Sequence, residues 1–405
     1  MVPLPLANIL HHKLRSALSA SGVAIGVCML ITLSGLTRGS LKEVSDRWTA
    51  VDADLIVYPA RRGDNITTIS GGGLTDADAA AVAKLALGPD PAVERVVPVF
   101  LYRISIAGQE HNVVGVDSRD LTYLLGGGQV KPGGSVFDPQ GEFAQWLQAT
   151  LAQQTDQLVD ISEAELASRG GLEMVIDDRL AKAADLDVGS EVYAAGHHFS
   201  VVGVVPAGAM VRAFIPRATA EFLFNGPLGR FTLMFVKLRP QLRDRPGPAI
   251  AAIGKSGRLT AVPVRRYQDM LQERFGVMFV YVDAVNAVTL VVAFLFILVT
   301  LYTMVIQRTR EIAILKSMGA TRWLIVRTVL AESLLLSAAG ALLGAVAAPA
   351  VGVAIEYVRP LLTVHIGWQW VAIAAAAAAV GGTAAAVYPA LCAIRVDVAE
   401  ALTLE

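Results

Sequence analysis

Four long apolar runs mark the start and the last third of the chain. The first, Ser16 to Thr37, has no charged residue and is bounded by Arg15 and Arg38. The second is Ala284 to Ile306. The third is Thr328 to Ile355, with one acid, Glu332, near its start. The fourth is Gly367 to Ile394, with an alanine-rich centre. Each reaches the roughly 20 residues that an α-helix needs to cross a bilayer. The first run competes with a cleaved signal peptide, since Lys13 and Arg15 precede it. It is longer than a signal core and shows no clear A-x-A site before a polar start, so it reads as a retained anchor. The fourth run competes with a buried soluble helix, and the three clear spans before it favour the membrane.

Between the first two runs the period changes. "ADLIVYP", "RVVPVFLYRISIAG", "HNVVGVD", "HHFSVVGVVP" and "FTLMFVKL" are short, rich in β-branched residues and bounded by turn formers, the pattern of strands. "TDADAAAVAKLAL" predicts a helix capped by Thr75, with two acids in its first turn. "DDRLAKAADLDVG" predicts another helix ending at Gly189. "GEFAQWLQATLAQQTDQL" predicts a polar helix, within an inserted subdomain at about 139–170. "GGGQVKPGG" at 126–134 reads as a flexible joint. The expected architecture is a membrane protein: four transmembrane α-helices with a large α/β extracytoplasmic domain inserted between the first and second. Its segments are 1–15 cytoplasmic, 16–37 first span, 38–283 domain, 284–306 second span, 307–327 cytoplasmic, 328–355 third span, 356–366 outer loop, 367–394 fourth span and 395–405 cytoplasmic tail.

The sides follow from lysine and arginine near the span ends. Lys13 and Arg15 flank the first span, five basic residues lie in 307–327, and Arg395 follows the fourth, whereas the loop at 356–366 has only Arg359. The basic side is the cytoplasm, so both termini are expected there, and Trp368 and Trp370 fall at the outer interface. Composition agrees: 54% of residues are hydrophobic and 17% charged, against about 25% charged in an average soluble domain. The net charge of -1 and the lack of any basic tract argue against nucleic acid. The two cysteines, Cys28 and Cys392, both lie in apolar runs, so no disulfide framework supports the inserted region.

Catalytic and metal motifs are weak. Ala249 to Ser256, "AIAAIGKS", resembles a phosphate-binding loop with its first glycine replaced, and a helix ending near Gly254 is the better reading. His197 and His198 are adjacent, so on a strand they would point to opposite faces; a solvent-side turn is expected there. No spacing suits zinc, and no nucleophile elbow appears. Enzymatic activity is not expected. Glu332, an acid within a span, sits either at headgroup level beside Arg327 or in the bundle interior. The pairs Gly22/Gly26 and Gly340/Gly344 allow close helix approach; they predict packing first and dimerisation only weakly.

The segment "QRTREIAILKSMGATRWLIVR", Gln307 to Arg327, joins the second and third spans. Residues 308–318 favour helix, Gly319 is a C-terminal stop, and Thr321 caps the next helix. At about 100° per residue, Ile314, Leu315 and Met318 share a face, with Ile312 at its edge and Glu311 on the same side. Such a mixed face suits either a topology-fixing loop or docking of a protein.

This segment and its continuation, "TREIAILKSMGATRWLIVRTVLAESLLLSAAGALLGAVAAP", resemble the core of the MacB/FtsX-like permeases of ABC transporters. "NILHHKLRSALSASGVAIGVCMLI", "IDDRLAKAADLDVGSEVYAAGHHFSVVGVVPAG" and "YPALCAIRVDVAEAL" resemble the first span, periplasmic domain and ending of that family. The resemblance implies a four-span subunit, in a homodimer or heterodimer, bound to a separate cytoplasmic ABC ATPase that carries the ATP and Mg. No cofactor is expected on this chain. By position, Arg308, Arg310, Glu311, Ile312, Leu315, Lys316, Met318 and Gly319 match the family's ATPase-coupling helix, and Glu332 matches an acid early in its third span. Leu391, Cys392 and Val398 depart from the family's ending. The implied function is export or extraction of a lipid, lipoprotein, peptide or drug by mechanotransmission, with membrane lipids and a periplasmic adaptor as further partners. A non-transporting regulator of a cell-wall hydrolase is the alternative, and a stand-alone receptor lacks a signalling domain.

Overall fold

The computed structural model describes residues 13–60, 71–125, 129–153, 161–208, 210–225, 228–307 and 309–395. The chain divides into two units. One contains the described residues up to Ser40 and from Phe275 onward, and the other is Leu41–Arg274.

Among the described residues, four helices are long and apolar enough to cross a membrane. They are α1 (Lys13–Thr49), α10 (Tyr267–Gln307), α12 (Arg322–Val358) and α13 (Trp368–Arg395). The first two outrun their apolar cores: α1 continues for twelve residues past Thr37, and α10 begins seventeen residues before Ala284. The last turns of α1, Leu41–Thr49, read "LKEVSDRWT". That stretch is polar but holds no glycine or proline, so hydropathy ends before the helix does.

The unit Leu41–Arg274 is built on a nine-stranded mixed sheet. Its strands are β1 (Leu55–Pro59), β5 (Val93–Ile106), β6 (Gln109–Val116), β7 (Glu173–Asp177), β8 (Glu191–Ala194), β9 (His197–Val205), β10 (Ala213–Pro216), β12 (Leu233–Leu238) and β13 (Leu259–Pro263), in the order β13-β1-β12-β5-β6-β10-β7-β9-β8. Short pairs β2 (Leu74–Thr75) with β11 (Arg230–Phe231), and β3 (Ala86–Leu87) with β4 (Asp90–Pro91), lie outside it. The long hairpin β5–β6 is antiparallel from Phe100↔Gly115 to Ile106↔Gln109. Parallel pairing joins β10 to β6 and β7 to β9. All five strands expected from the sequence are present. β7, β8, β10 and β13, each of four or five residues, were not expected.

The helices of this unit are α2 (Asp76–Ala83), α3 (Ser118–Leu124), α4 (Glu142–Gln153), α5 (Glu163–Ser168), α6 (Asp178–Ala184), α7 (Arg217–Asn225), α8 (Pro240–Arg243) and α9 (Gly247–Gly254). Thr75 caps α2 in a capping box with Asp78, which satisfies orphan amides at both ends of the exchange. The helix expected to reach Gly189 is shorter. α6 stops at Ala184 because Asp185 adopts a left-handed conformation at φ 53°. α4 is not polar throughout: Phe143 and Leu147 are buried in the same core as Phe100, Ile176 and Phe199 from the sheet, as is Leu166 of α5. Residues 154–160 of that stretch, and Gly126 to Gly128 of the glycine joint, lie outside the described residues.

Candidate coupling site

Residues Thr309–Ser317 form a separate short helix, α11, between α10 and α12. Its stop is built from local chemistry. The Ala320 amide donates to the Leu315 carbonyl at 3.0 Å and the Gly319 amide to the Lys316 carbonyl at 3.0 Å. Gly319 itself has φ 92°, a conformation that costs glycine little and other residues more. Just beyond it the Thr321 hydroxyl accepts from the Leu324 amide and opens α12. The turn is therefore defined at both ends.

α11 has two faces. Thr309, Ile312, Ala313 and Lys316 turn inward, Ala313 with no exposure. Arg310, Glu311, Ile314, Ser317 and Met318 turn outward, Met318 being 71% exposed. Leu315 is half-buried between them. The first turn of α12 continues the outward surface with Trp323, 69% exposed, and Leu324. The structure thus divides the residues singled out in the sequence. Glu311, Ile314 and Met318 share the open face, whereas Lys316 turns away from it and its Nζ donates to the Ile394 carbonyl at 2.6 Å. Arg308 lies outside the described residues.

Glu332 is buried, only 4% exposed, inside the helical unit. α12 presents Glu332, Ser333, Leu336, Ser337 and Gly340 on one buried stripe, so Glu332 faces other helices of this unit. The Ser333 hydroxyl donates to the Gly382 carbonyl of α13 at 2.6 Å. A Cβ at Gly382 would fall 1.9 Å from the Ser337 hydroxyl oxygen and 2.8 Å from its Cβ, so α12 and α13 approach closely because position 382 has no side chain.

Both glycine pairs pack helices within the chain. Gly22 and Gly26 of α1 lie against Phe296 and Ala293 of α10. Gly340 and Gly344 of α12 lie against Ala20, Val23, Ala24 and Val27 of α1. A third pair, Gly35 and Gly39, went unread in the sequence. It receives the loop before α13: the His365 amide donates to the Gly35 carbonyl at 3.1 Å, and a Cβ at Gly39 would lie 2.7 Å from that amide nitrogen. The four-residue spacing was available as a signal, but its partner is a loop rather than a helix. Asn286 of α10 also donates to the Ser34 hydroxyl of α1 at 3.0 Å, both buried.

The other unit contains a buried ion network that no spacing announced. Arg47 pairs with Glu43 at 2.7 Å and with Asp177 at 3.1 Å; Arg179 reaches Glu43 at 3.0 Å, and Arg212 reaches both acids at 3.5 Å. Asp177 also caps α6 by accepting from the Leu180 amide at 2.7 Å. Burial of charges is tolerated where they are paired and hydrogen-bonded in this way. Trp48, next to Arg47, stacks on Tyr267 with centroids 4.4 Å apart. A second cluster surrounds Arg217, which approaches Asp76, Asp117 and Glu221 at 3.1, 3.6 and 3.4 Å. Burial pushes the Glu221 carboxyl up to about 7, against the opposing pull of Arg217 and the Gly229 amide.

The weaker motifs resolve simply. Ala249 to Gly254 is helical in α9, so the glycine ends a helix rather than opening a phosphate loop. His197 and His198 begin strand β9 instead of forming the turn, which is Ala195-Gly196. Among the described residues no group of three or more His, Cys, Asp or Glu is arranged to hold a metal.

Residues 16–253 match the family described as the MacB-like periplasmic core domain, and residues 284–398 match the FtsX-like permease C-terminal family. No curated protein matches the chain. Among solved structures the chain is similar to the periplasmic region of MacB from Actinobacillus actinomycetemcomitans, at 13% identity and a TM-score of 0.34, over 55% of this chain and 95% of that one. It is also similar to the extracellular domain of the noncanonic ABC-type transporter YknZ from Gram-positive bacteria, at 13% identity and a TM-score of 0.33, over 51% of this chain and 98% of that one. The first family match spans α1 and most of the sheet unit and the second spans the last three membrane helices, so the chain belongs to the MacB/FtsX-like family of ABC transporter permeases.

Proposed function

We propose that this permease couples ATP hydrolysis by a separate cytoplasmic ABC ATPase to movement of its extracytoplasmic domain, driving export or extraction of a lipid, lipoprotein, peptide or drug. The observation that carries the reading is the open face of α11. Arg310, Glu311, Ile314 and Met318, with Trp323 and Leu324 of α12, form an exposed mixed surface between two membrane helices. Large apolar side chains ringed by charge suit a protein contact. The basic residues around the short cytoplasmic segments support this side as the cytoplasm, with both termini beside it. The ATP and Mg belong to the ATPase, and the working unit is a pair of permease subunits.

The test is copurification of the full-length chain with candidate ATPase subunits, followed by Glu311→Lys and Met318→Asp. The wild type retains an ATPase, and each variant weakens retention by about tenfold, the effect of losing roughly one interface anchor. Unchanged retention by both variants would remove α11 as the docking face.

A further inference from the structure

We propose that Lys316 is a positioning residue that ties the coupling helix to the fourth membrane helix, so that force applied to α11 enters α13. The proposal deepens the docking reading above and rests on it. α11 is joined by the chain to α10 before it and to α12 after it, and nothing in the sequence links it to α13. Lys316 supplies that link through its 2.6 Å hydrogen bond to the Ile394 carbonyl, in the last described turn of α13. A charged donor on a carbonyl is stronger than a neutral pair.

The surroundings suit a mechanical tie. Lys316 stands one turn after Ala313, which has no exposure, on the inward face of α11. The end of α13 is packed by small residues: Ala385, Ala386, Ala390 and Ala393 are all buried. Small side chains permit close approach but interlock little, so directional bonds carry more of the positional information. Such bonds reach α13 from different elements: Ser333 donates to the Gly382 carbonyl and Lys316 to the Ile394 carbonyl. The outward residues Glu311, Ile314 and Met318 are on the opposite side of α11. Docking and transmission thus use different faces of one helix.

The experiment has two arms, both on the full-length chain with Cys28→Ser, which leaves Cys392 as the single cysteine. Cys392 is half-buried, two residues before Ile394. In the first arm no ATPase is present, and the rate of maleimide reaction at Cys392 is measured for the parent, Lys316→Met, Lys316→Gln and Lys316→Arg. The Met and Gln variants react about tenfold faster, the effect of losing one charge-assisted hydrogen bond, and Arg returns the rate to within about twofold of the parent. Equal rates in the parent and the Met and Gln variants would overturn the tie.

The second arm measures stimulated ATP turnover per bound ATPase in the reconstituted complex. Turnover falls about fivefold in Lys316→Met and recovers in Lys316→Arg, in proportion to the bond lost and restored. Unaltered turnover in Lys316→Met would overturn the transmission role while leaving docking intact. A parent chain that retains no ATPase overturns the docking reading and transmission with it, and the cysteine rates still decide whether the tie exists.

Discussion

Glu221 shows how much one residue's environment can change its chemistry. Its carboxyl is buried in α7, accepts the Gly229 amide at 2.7 Å and faces Arg217. Burial raises its pKa from 4.5 to about 7. An acid whose folded pKa is raised contributes stability that is fully present below its unfolded pKa and lost as pH rises through the folded one. The window is therefore about pH 4.5 to 7. Glu221→Gln keeps an acceptor for Gly229 and removes the titration. We expect the variant's thermal midpoint in detergent to lose the parent's decline between about pH 4.5 and 7, and to exceed the parent's at the upper end of that range. Parallel pH curves for the two proteins would refute this assignment. Some single-residue roles were legible beforehand: Thr75, Gly319 and Thr321 act on backbone groups only a few residues away. Glu332, Lys316 and Arg47 were not, because their surroundings come from distant parts of the chain.

Elements were legible where they were long and periodic. The four apolar runs fall on long helices, and α11 ends just before Gly319. The short strands β7, β8, β10 and β13 escaped notice, as did the polar extensions of α1 and α10. The glycine pairs illustrate what spacing leaves open. A Cβ at Gly340 would lie 2.6 Å from the Val23 Cβ and 2.7 Å from the Ala20 carbonyl oxygen, whereas one at Gly22 meets the Phe296 ring at 3.2 Å. Backbone cannot yield as a ring edge can. Gly340→Ala should therefore cost about 1–3 kcal/mol and Gly22→Ala distinctly less. Thermal unfolding of the two full-length variants checks the order, and an equal loss would contradict the packing described.

At the scale of the whole molecule, the proposed orientation, with the basic side in the cytoplasm, can be tested directly. With α11 in the cytoplasm, Met318→Cys should be shielded from a membrane-impermeant maleimide in intact cells, and Val188→Cys, exposed in the sheet unit, should be labelled. Reversed labelling would invert the topology and remove the ATPase reading with it. The amino-acid string alone was enough to place four apolar helices in order, the inserted α/β domain and the short helix between the second and third. Hydropathy, capping and strand periods are properties of neighbouring residues, so they are visible in a linear string. The folded chain was needed to tell which glycines meet which helices, that Glu332 is buried, that Arg47 joins Asp177, and that Lys316 turns from the exposed face of α11 to α13. Those outcomes depend on side chains far apart in the chain, and only the folded backbone sets the distances that select their partners.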